Sequence, residues 1–334
     1  MQTIVLADTN RQTTRLGYGC SSLMGATNRR DSLTLLEAAY EAGIRHFDVA
    51  PMYGYGHAEA CLGEFLQRHR GEFTVTTKFG IAPPRHSTLL KAARNIAGPI
   101  VRQIPSLKKS LTQAATAATT PQKTSFTAAE AKASLDRSLQ ALRTTHIDLF
   151  LLHEPEAHNL IDDGLLTLLN QATQQGTIGS FGIGSAAAKI PALLTERPTY
   201  CRTLQYEWSL LHQPIPSKAE PFRIHHSTLT KNFRALHKTL TANQPLCRRW
   251  SEATNTDLTH PESLANLMLK AALVMNPASI ILVSSKNPHH IQNNARTAAD
   301  PTLEAPARQL YHLIHSEPNL IHHLQTSLTQ QKLI

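Results

Sequence analysis

Polar residues that can transfer or orient a proton stand where three predicted strands end. Asp48 lies at the end of the second predicted strand, five residues before Tyr53. Lys78 ends the third strand, and His153 follows the fourth. A phenol with a pKa near ~10 is a weak acid at neutral pH, but a neighbouring ammonium favours the phenolate and a carboxylate fixes that ammonium. The set predicts a proton-transfer site in which a histidine hydrogen bond orients a carbonyl oxygen.

Eight short apolar segments, with helical patterns between most of them, would position these residues. Repeated strand–helix units require parallel strands joined by right-handed crossovers. Eight strands over about 280 residues fit a closed (β/α)₈ TIM barrel, of class α/β, better than an open doubly wound sheet, and such barrels carry their chemistry at the carboxyl ends of the strands. The predicted strands are Arg15–Ser21, Arg45–Val49, Thr74–Lys78, Ile147–Leu152, Ile178–Ile183, Thr203–Tyr206, Phe222–His226 and Ile280–Val283.

Capping patterns predict where three of the helices begin. Asp31 precedes an apolar stripe, and we expect it to cap that helix. The segments Thr127–Glu130 and Thr259–Glu262 match the capping box, in which a threonine and a glutamate three positions later bind free backbone N–H groups. The second box precedes a helix rich in Leu and Met that is expected to end at Asn276.

We expect a single domain over residues 1–334, because no linker divides the chain. The segments Thr3–Leu6 and Thr13–Leu16 are predicted to form a hairpin that closes the floor of the barrel. One or two terminal helices are predicted within residues 302–331.

A long basic insert after the third strand, residues 82–125, departs from a plain barrel. Residues 85–125 hold seven Lys and Arg and no acidic residue, so the remainder of the chain carries a charge of +2 out of the total of +9. Such a loop either attracts an anionic cofactor or substrate or is a solvated excursion. Because no nucleic-acid recognition motif accompanies the charge, we do not expect nucleic acid as a partner.

Several other classes of protein are disfavoured. No run of ~18 apolar residues predicts a membrane-spanning helix, and the first residues do not resemble a secretory signal. A metal-dependent hydrolase would need clustered ligands such as a His-x-His on the first strand, which the chain lacks. The spacing of the four cysteines makes no metal knuckle and fits a reducing cytoplasm; they are Cys20, Cys61, Cys201 and Cys247.

The segment Phe47-Asp48-Val-Ala-Pro-Met-Tyr53-Gly54, followed by Ala58-Glu59 and Leu62-Gly63, resembles the aldo-keto reductase family. The strand ends at Lys78 and His153 follow in the family's order, and the resemblance extends over roughly residues 13–300 outside the insert. It implies a (β/α)₈ barrel that binds a nicotinamide cofactor, usually NADPH, and reduces aldehydes or ketones or oxidises alcohols. Tyr53 would be the general acid, Lys78 and Asp48 its tuning pair, and His153 the group that positions the carbonyl.

The resemblance also assigns residues to the cofactor. Gly184-Ser185 stands where the family has Ser-Asn, so one contact to the nicotinamide carboxamide is lost or moves to Ser185. Families that prefer NADPH place basic residues where this chain has Ser284 and His290, which leaves NADH as an alternative. The predicted cofactor-binding residues are Gln205, Ser185, His226, Ser227, Ser284, Lys286, His290 and Asn294.

Two functions follow from these patterns. The first is an NAD(P)H-dependent oxidoreductase acting on a small carbonyl compound, with no metal and no membrane or nucleic-acid partner. The alternative is a catalytically silent member of the same fold that acts as a cofactor sensor or partner subunit. No sequence pattern defines the substrate or an oligomeric state.

Overall fold

A computed structural model describes residues 1–69, 71–83, 122–213, 215–216, 220–322 and 324. Within these residues, eight parallel strands close into a barrel, which confirms the predicted (β/α)₈ fold. All eight predicted strands are present. The barrel strands, in chain order, are β3 (Leu16–Gly19), β4 (His46–Asp48), β5 (Thr74–Phe79), β8 (Ile147–His153), β9 (Ile178–Gly184), β10 (Thr203–Glu207), β11 (Phe222–His226) and β12 (Ser279–Val283).

Neighbouring barrel strands are also consecutive along the chain, and β12 pairs with β3 to close the ring. Helices between the strands and after the last strand cover the outside of the barrel and bury a continuous apolar layer against it. They are α1 (Arg29–Glu41), α2 (Ala58–Leu66), α3 (Ala128–Leu142), α4 (Asp163–Gln174), α5 (Ile190–Glu196), α6 (Thr230–Ala242), α7 (Gln244–Thr254), α8 (Pro261–Met275), α9 (Pro288–Ala299) and α10 (Glu304–His315).

The helix caps differ in part from the predicted ones. The side chain of Thr127 accepts a hydrogen bond from the backbone N–H of Glu130, which confirms Thr127 as the cap of α3; the return bond from the Glu130 side chain that would complete the capping box is not among the bonds of the described residues. Asp31 is not a cap, because Asn28 begins α1 three residues earlier and accepts from the Asp31 N–H. The cap of α8 is His260, because Pro261 takes the first helical position. A proline suits this position, since it has no N–H that would need a partner.

The predicted amino-terminal hairpin is present as β1 (Thr3–Val5) paired antiparallel with β2 (Gln12–Thr14). Leu6 follows β1, is fully buried and belongs to an apolar cluster whose other members come from barrel strands. These neighbours are Leu149, Leu151, Ile224, Ile280 and Leu282. The hairpin thus supplies a side chain that fills the interior of the barrel below the site.

A short antiparallel pair frames the basic insert. β6 (Ile81–Ala82) pairs with β7 (Gln122–Lys123), so both ends of the insert are joined directly after β5. Most of the predicted insert 82–125, namely residues 84–121, lies outside the described residues. The first terminal helix is α10, residues 318–322 are also helical, and the rest of the predicted C-terminal helix, beyond residue 324, lies outside the described range.

None of the helices in the described part of the chain is both long and apolar enough to cross a membrane.

Candidate active site

The carboxyl ends of three adjacent strands bring the predicted proton-transfer residues together. β4 ends at Asp48, β5 carries Lys78 one residue before its end, and β8 ends at His153. β4 pairs with β5, and β5 pairs with β8, in parallel register. Because parallel strands end on the same face of the barrel, the three side chains converge there.

Lys78 and Asp48 form a buried ion pair. The ammonium Nζ lies 2.6 Å from Oδ1 of Asp48 and donates a second hydrogen bond of 3.1 Å to the Val49 carbonyl. Both side chains are at most 4% exposed. Burial alone would lower the pKa of Lys78, but the carboxylate of Asp48 and the phenol of Tyr53 outweigh it and raise that pKa. The lysine is therefore a fixed cation at the floor of the site.

Tyr53 lies in the loop after β4, and a tight turn fixes it there. Gly54 has a φ of +59°, and a Cβ at this position would lie 2.5 Å from the Leu23 carbonyl oxygen, so only glycine fits. The Lys78 ammonium lies 5.3 Å from the centre of the Tyr53 ring. Burial raises the pKa of the Tyr53 phenol, and the nearby ammonium offsets this only in part. The phenol is therefore protonated at neutral pH and able to act as an acid.

His153 faces Tyr53 edge to face, with 6.5 Å between the ring centres. Burial, followed by repulsion from Lys78 and His226, lowers the pKa of His153 to about 3. The ring is therefore neutral, and its Nδ1 is buried without a hydrogen-bond partner among the described residues. A neutral imidazole carries one N–H, which can donate to a carbonyl oxygen.

Gln205 reaches the same carboxylate from the opposite side of the barrel interior. Its Nε2 donates a hydrogen bond of 2.8 Å to Oδ2 of Asp48. Its Oε1 is buried and has no partner among the described residues. This oxygen lies 3.3 Å from the position that a Cβ on Gly184 would take. The missing side chain at Gly184 thus leaves room for this acceptor.

A cavity of about 340 Å³ joins these groups with most of the predicted cofactor residues. Lys286 and His290 are exposed and do not line it, so the cofactor role of these two residues stays a prediction. Ten of the twelve predicted site residues line it, namely Asp48, Tyr53, Lys78, His153, Ser185, Gln205, His226, Ser227, Ser284 and Asn294.

His226 ends β11 and forms a hydrogen-bonded pair with its neighbour. Its Nδ1 lies 2.9 Å from Oγ of Ser227, whose backbone has a φ of +59°. Burial is the main cause that lowers the pKa of His226, so this ring is also neutral at neutral pH. Its uncharged ring is part of the cavity lining.

Sequence reasoning missed several residues that line the cavity. Glu154 directly follows His153, so its position after a strand end was a usable signal. Others include Ser21, which follows β3, Thr228 and Leu229, which follow β11, and Thr230, the first residue of α6, for which no sequence pattern was available. Within the ranges that the structure describes, no group of three or more His, Cys, Asp or Glu side chains could hold a metal ion.

The model of the aldo/keto reductase family matches residues 15–305 of this chain. Among curated proteins, a D-threo-aldose 1-dehydrogenase from Pseudomonas sp is 28% identical over 87% of this chain and 90% of its own length. A pyridoxal 4-dehydrogenase from Microbacterium luteolum is 42% identical, over 22% of this chain and 23% of its own length.

Solved structures share the same fold at low sequence identity. An aldo-keto reductase from Bacillus halodurans in its holo form is 17% identical with a TM-score of 0.66, covering 93% of this chain and 96% of that one. An aldo-keto reductase from Klebsiella pneumoniae in complex with NADPH is 16% identical with a TM-score of 0.62, and the match covers 95% of each chain.

Proposed function

Because the chain belongs to the aldo-keto reductase family, we propose that it interconverts a small aldehyde or ketone and its alcohol, with NADPH as cofactor and Tyr53 as proton donor. One observation carries this proposal: a protonated phenol, a buried ammonium–carboxylate pair and a neutral histidine share one cavity. Such a set can deliver a proton to one oxygen while holding that oxygen in place. The Lys78–Asp48 pair supplies the fixed charge.

The residues of the cavity fit a nicotinamide cofactor. The buried Oε1 of Gln205 is an acceptor without a partner among the described residues, as a carboxamide N–H would require. Ser227, Ser284 and Asn294 line the same cavity and offer hydroxyl and amide donors to phosphate oxygens. When bound, the nicotinamide supplies or accepts the hydride.

Each side chain then has a defined task in the reduction of a carbonyl group. His153 donates a hydrogen bond to the carbonyl oxygen and so orients it. Tyr53 gives its proton to that oxygen as the carbonyl carbon gains a hydride, and Lys78 stabilises the phenolate that remains. In the oxidation of an alcohol the same phenolate takes the proton back.

A curated relative and the cysteines extend this proposal to the direction of the reaction and to the cellular compartment. Since the relative from Pseudomonas is named a D-threo-aldose 1-dehydrogenase, oxidation of an aldose is a candidate for the reverse direction. All four cysteines are buried thiols outside any disulfide, which supports a reducing cytoplasm as the place of action. Lys286 is the exposed cation that we propose for the extra phosphate that distinguishes NADPH from NADH.

The proposal is tested by titrating the purified protein with NADPH and NADH, following Trp fluorescence, and by assaying turnover of a panel of aldehydes. Tyr53→Phe is expected to abolish turnover and leave cofactor affinity within about twofold, because only the hydroxyl is removed. Tyr55→Phe, two positions away, is the matched control and should retain turnover. A fully active Tyr53→Phe protein would overturn the role of Tyr53. Cofactor binding without turnover of any aldehyde would favour the catalytically silent sensor.

A further inference from the structure

Glu154 occupies a backbone conformation that side chains rarely adopt. It follows β8 directly and has a φ of +55°, in the left-handed region that favours glycine. Its N–H donates a 2.7 Å hydrogen bond to the carbonyl of Gly184, at the end of the neighbouring strand β9. This bond fixes the turn beside His153, and strained residues of this kind concentrate at functional sites. The turn holds a carboxylate in the cavity next to the group that orients the substrate.

The carboxylate of Glu154 has few internal partners. Its Oε2 accepts a 3.3 Å hydrogen bond from the hydroxyl of Ser185 and lies 3.8 Å from the Lys189 ammonium. Among the described residues, both contacts go through this one oxygen. Lys189 is shared, because the same ammonium lies closer, at 3.2 Å, to Glu156. The side chain of Glu154 is 35% exposed, so a ligand in the cavity can reach it.

The charges around the cavity determine which substrates the Glu154 carboxylate attracts and which it repels. Lys78 neutralises Asp48, and burial keeps His153 and His226 uncharged at neutral pH. Among the described residues that line the cavity, Glu154 therefore leaves one negative charge in excess. A substrate with its own carboxylate would be repelled at this position, whereas a hydroxyl group can donate a charge-assisted hydrogen bond to it.

We propose that Glu154 is a specificity-determining residue that selects neutral, hydroxylated carbonyl compounds and rejects carboxylate-bearing ones. This inference rests on the proposed function, since it concerns the substrate of the same site. A hydroxyl next to the carbonyl would donate to Glu154 while His153 and Tyr53 bind the carbonyl oxygen. A quaternary ammonium substrate fits less well, because it has no hydrogen-bond donor for the carboxylate and the Lys189 ammonium already lies beside it.

The test compares kcat/KM at saturating NADPH for three aldehydes. These are D-glyceraldehyde, which carries hydroxyls, succinic semialdehyde, which carries a carboxylate, and betaine aldehyde, which carries a quaternary ammonium and no donor. The wild-type protein is expected to prefer D-glyceraldehyde. Glu154→Gln keeps the shape and removes the charge, so the preference for D-glyceraldehyde over succinic semialdehyde should fall about tenfold, the effect of one charged hydrogen bond.

Two variants make the result decisive. Glu154→Gly has a backbone suited to this turn, and it should lower the same preference even if Glu154→Gln folds poorly. Glu156→Gln is the matched control, because it removes a carboxylate that shares Lys189 and does not line the cavity, and it should leave the preference unchanged.

The outcomes separate this inference from the proposed function. Turnover of D-glyceraldehyde with an unchanged preference in both Glu154 variants would overturn the role of Glu154 and leave the reductase standing. A wild-type preference for succinic semialdehyde or betaine aldehyde would overturn the substrate class. Cofactor binding with no turnover of any of the three aldehydes would overturn both.

Discussion

The amide nitrogen of Gln205 donates to the oxygen of Asp48 that Lys78 leaves free, at a distance of 2.8 Å. The two residues lie 157 positions apart, yet both are buried in the same cavity. The carboxylate is therefore held at both oxygens and cannot turn away from the ammonium. The amide oxygen of the same side chain, Oε1, lies next to Gly184. One side chain thus connects the proton-transfer pair to the proposed nicotinamide site.

Replacing Gln205 with methionine keeps the volume and removes both hydrogen-bonding atoms. Because a hydrogen bond to a charged group contributes about 2 kcal/mol, we expect the free energy of unfolding in urea to fall by about that amount. Turnover should fall as well, since Asp48 then holds Lys78 less firmly. Gln171→Met, on the exposed face of α4, serves as the control and should change stability by less than about 0.5 kcal/mol. Equal stability of the two variants would show that the bond to Asp48 contributes nothing.

Variants of the Lys78–Asp48 pair are expected to affect stability and catalysis differently. Lys78→Met leaves the Asp48 carboxylate buried without its cation, which is expected to cost about 3–5 kcal/mol of unfolding free energy. Adding Asp48→Asn removes the stranded charge, so the double variant should regain much of that stability. Turnover should be lost in both variants, because neither has the ammonium that we propose to stabilise the phenolate of Tyr53. Urea unfolding and an aldehyde assay on the same samples check this, and a double variant that regains turnover would contradict the role of Lys78.

Much of the fold could be predicted because its signals are local in the sequence. Each barrel strand is a short apolar run, and polar residues at or next to the ends of β4, β5 and β8 interrupt that pattern. The barrel geometry then requires these ends to meet on one face. For the same reason Asp48, Lys78 and His153 could be placed in one site before any contact was known.

The contacts that could not be predicted depend on packing between distant segments. Nothing near Gln205 indicates that its amide binds Asp48, because this bond depends on the width of the barrel and on the small residue at Gly184. The left-handed turn at Glu154 was missed because glutamate rarely adopts it. The caps of two helices lie one to three residues from their predicted positions. Asn28 and His260 take the cap positions that were expected for Asp31 and Thr259, which are close by in the sequence.

Cofactor preference depends on Lys286 if this exposed cation contacts the extra phosphate of NADPH. Lys286→Glu is expected to weaken NADPH binding about tenfold and to leave NADH binding within about twofold, since a charge-assisted contact to phosphate is replaced by repulsion. Fluorescence titrations with both cofactors measure the two dissociation constants. Lys132→Glu, on α3 and ion-paired with Asp136, is the control for a general charge effect. Equal weakening of both cofactors would place Lys286 elsewhere than at the extra phosphate.

Buried neutral histidines make the fold sensitive to acid. Burial is the main cause that lowers the pKa of His46 to about 4 and those of His153 and His225 to about 3. In the unfolded chain these rings titrate near ~6.5, so below that pH the unfolded state binds more protons and stability falls. The stabilisation is complete above pH ~6.5 and is lost as the pH falls towards these lowered values.

Each of these histidines should therefore cost about 2 kcal/mol of unfolding free energy between pH 7 and pH 5. Urea unfolding at the two pH values measures the total loss. His225→Phe removes one titrating ring, which contacts the rings of Tyr206 and Trp208. The loss of unfolding free energy between the two pH values should therefore be smaller in this variant than in the wild-type protein by about 2 kcal/mol. His260→Gln, at an exposed position, is the control and should lose as much as the wild type. If His225→Phe lost as much stability as the control, the ring of His225 would have to be protonated in the folded protein, and burial would not determine its charge.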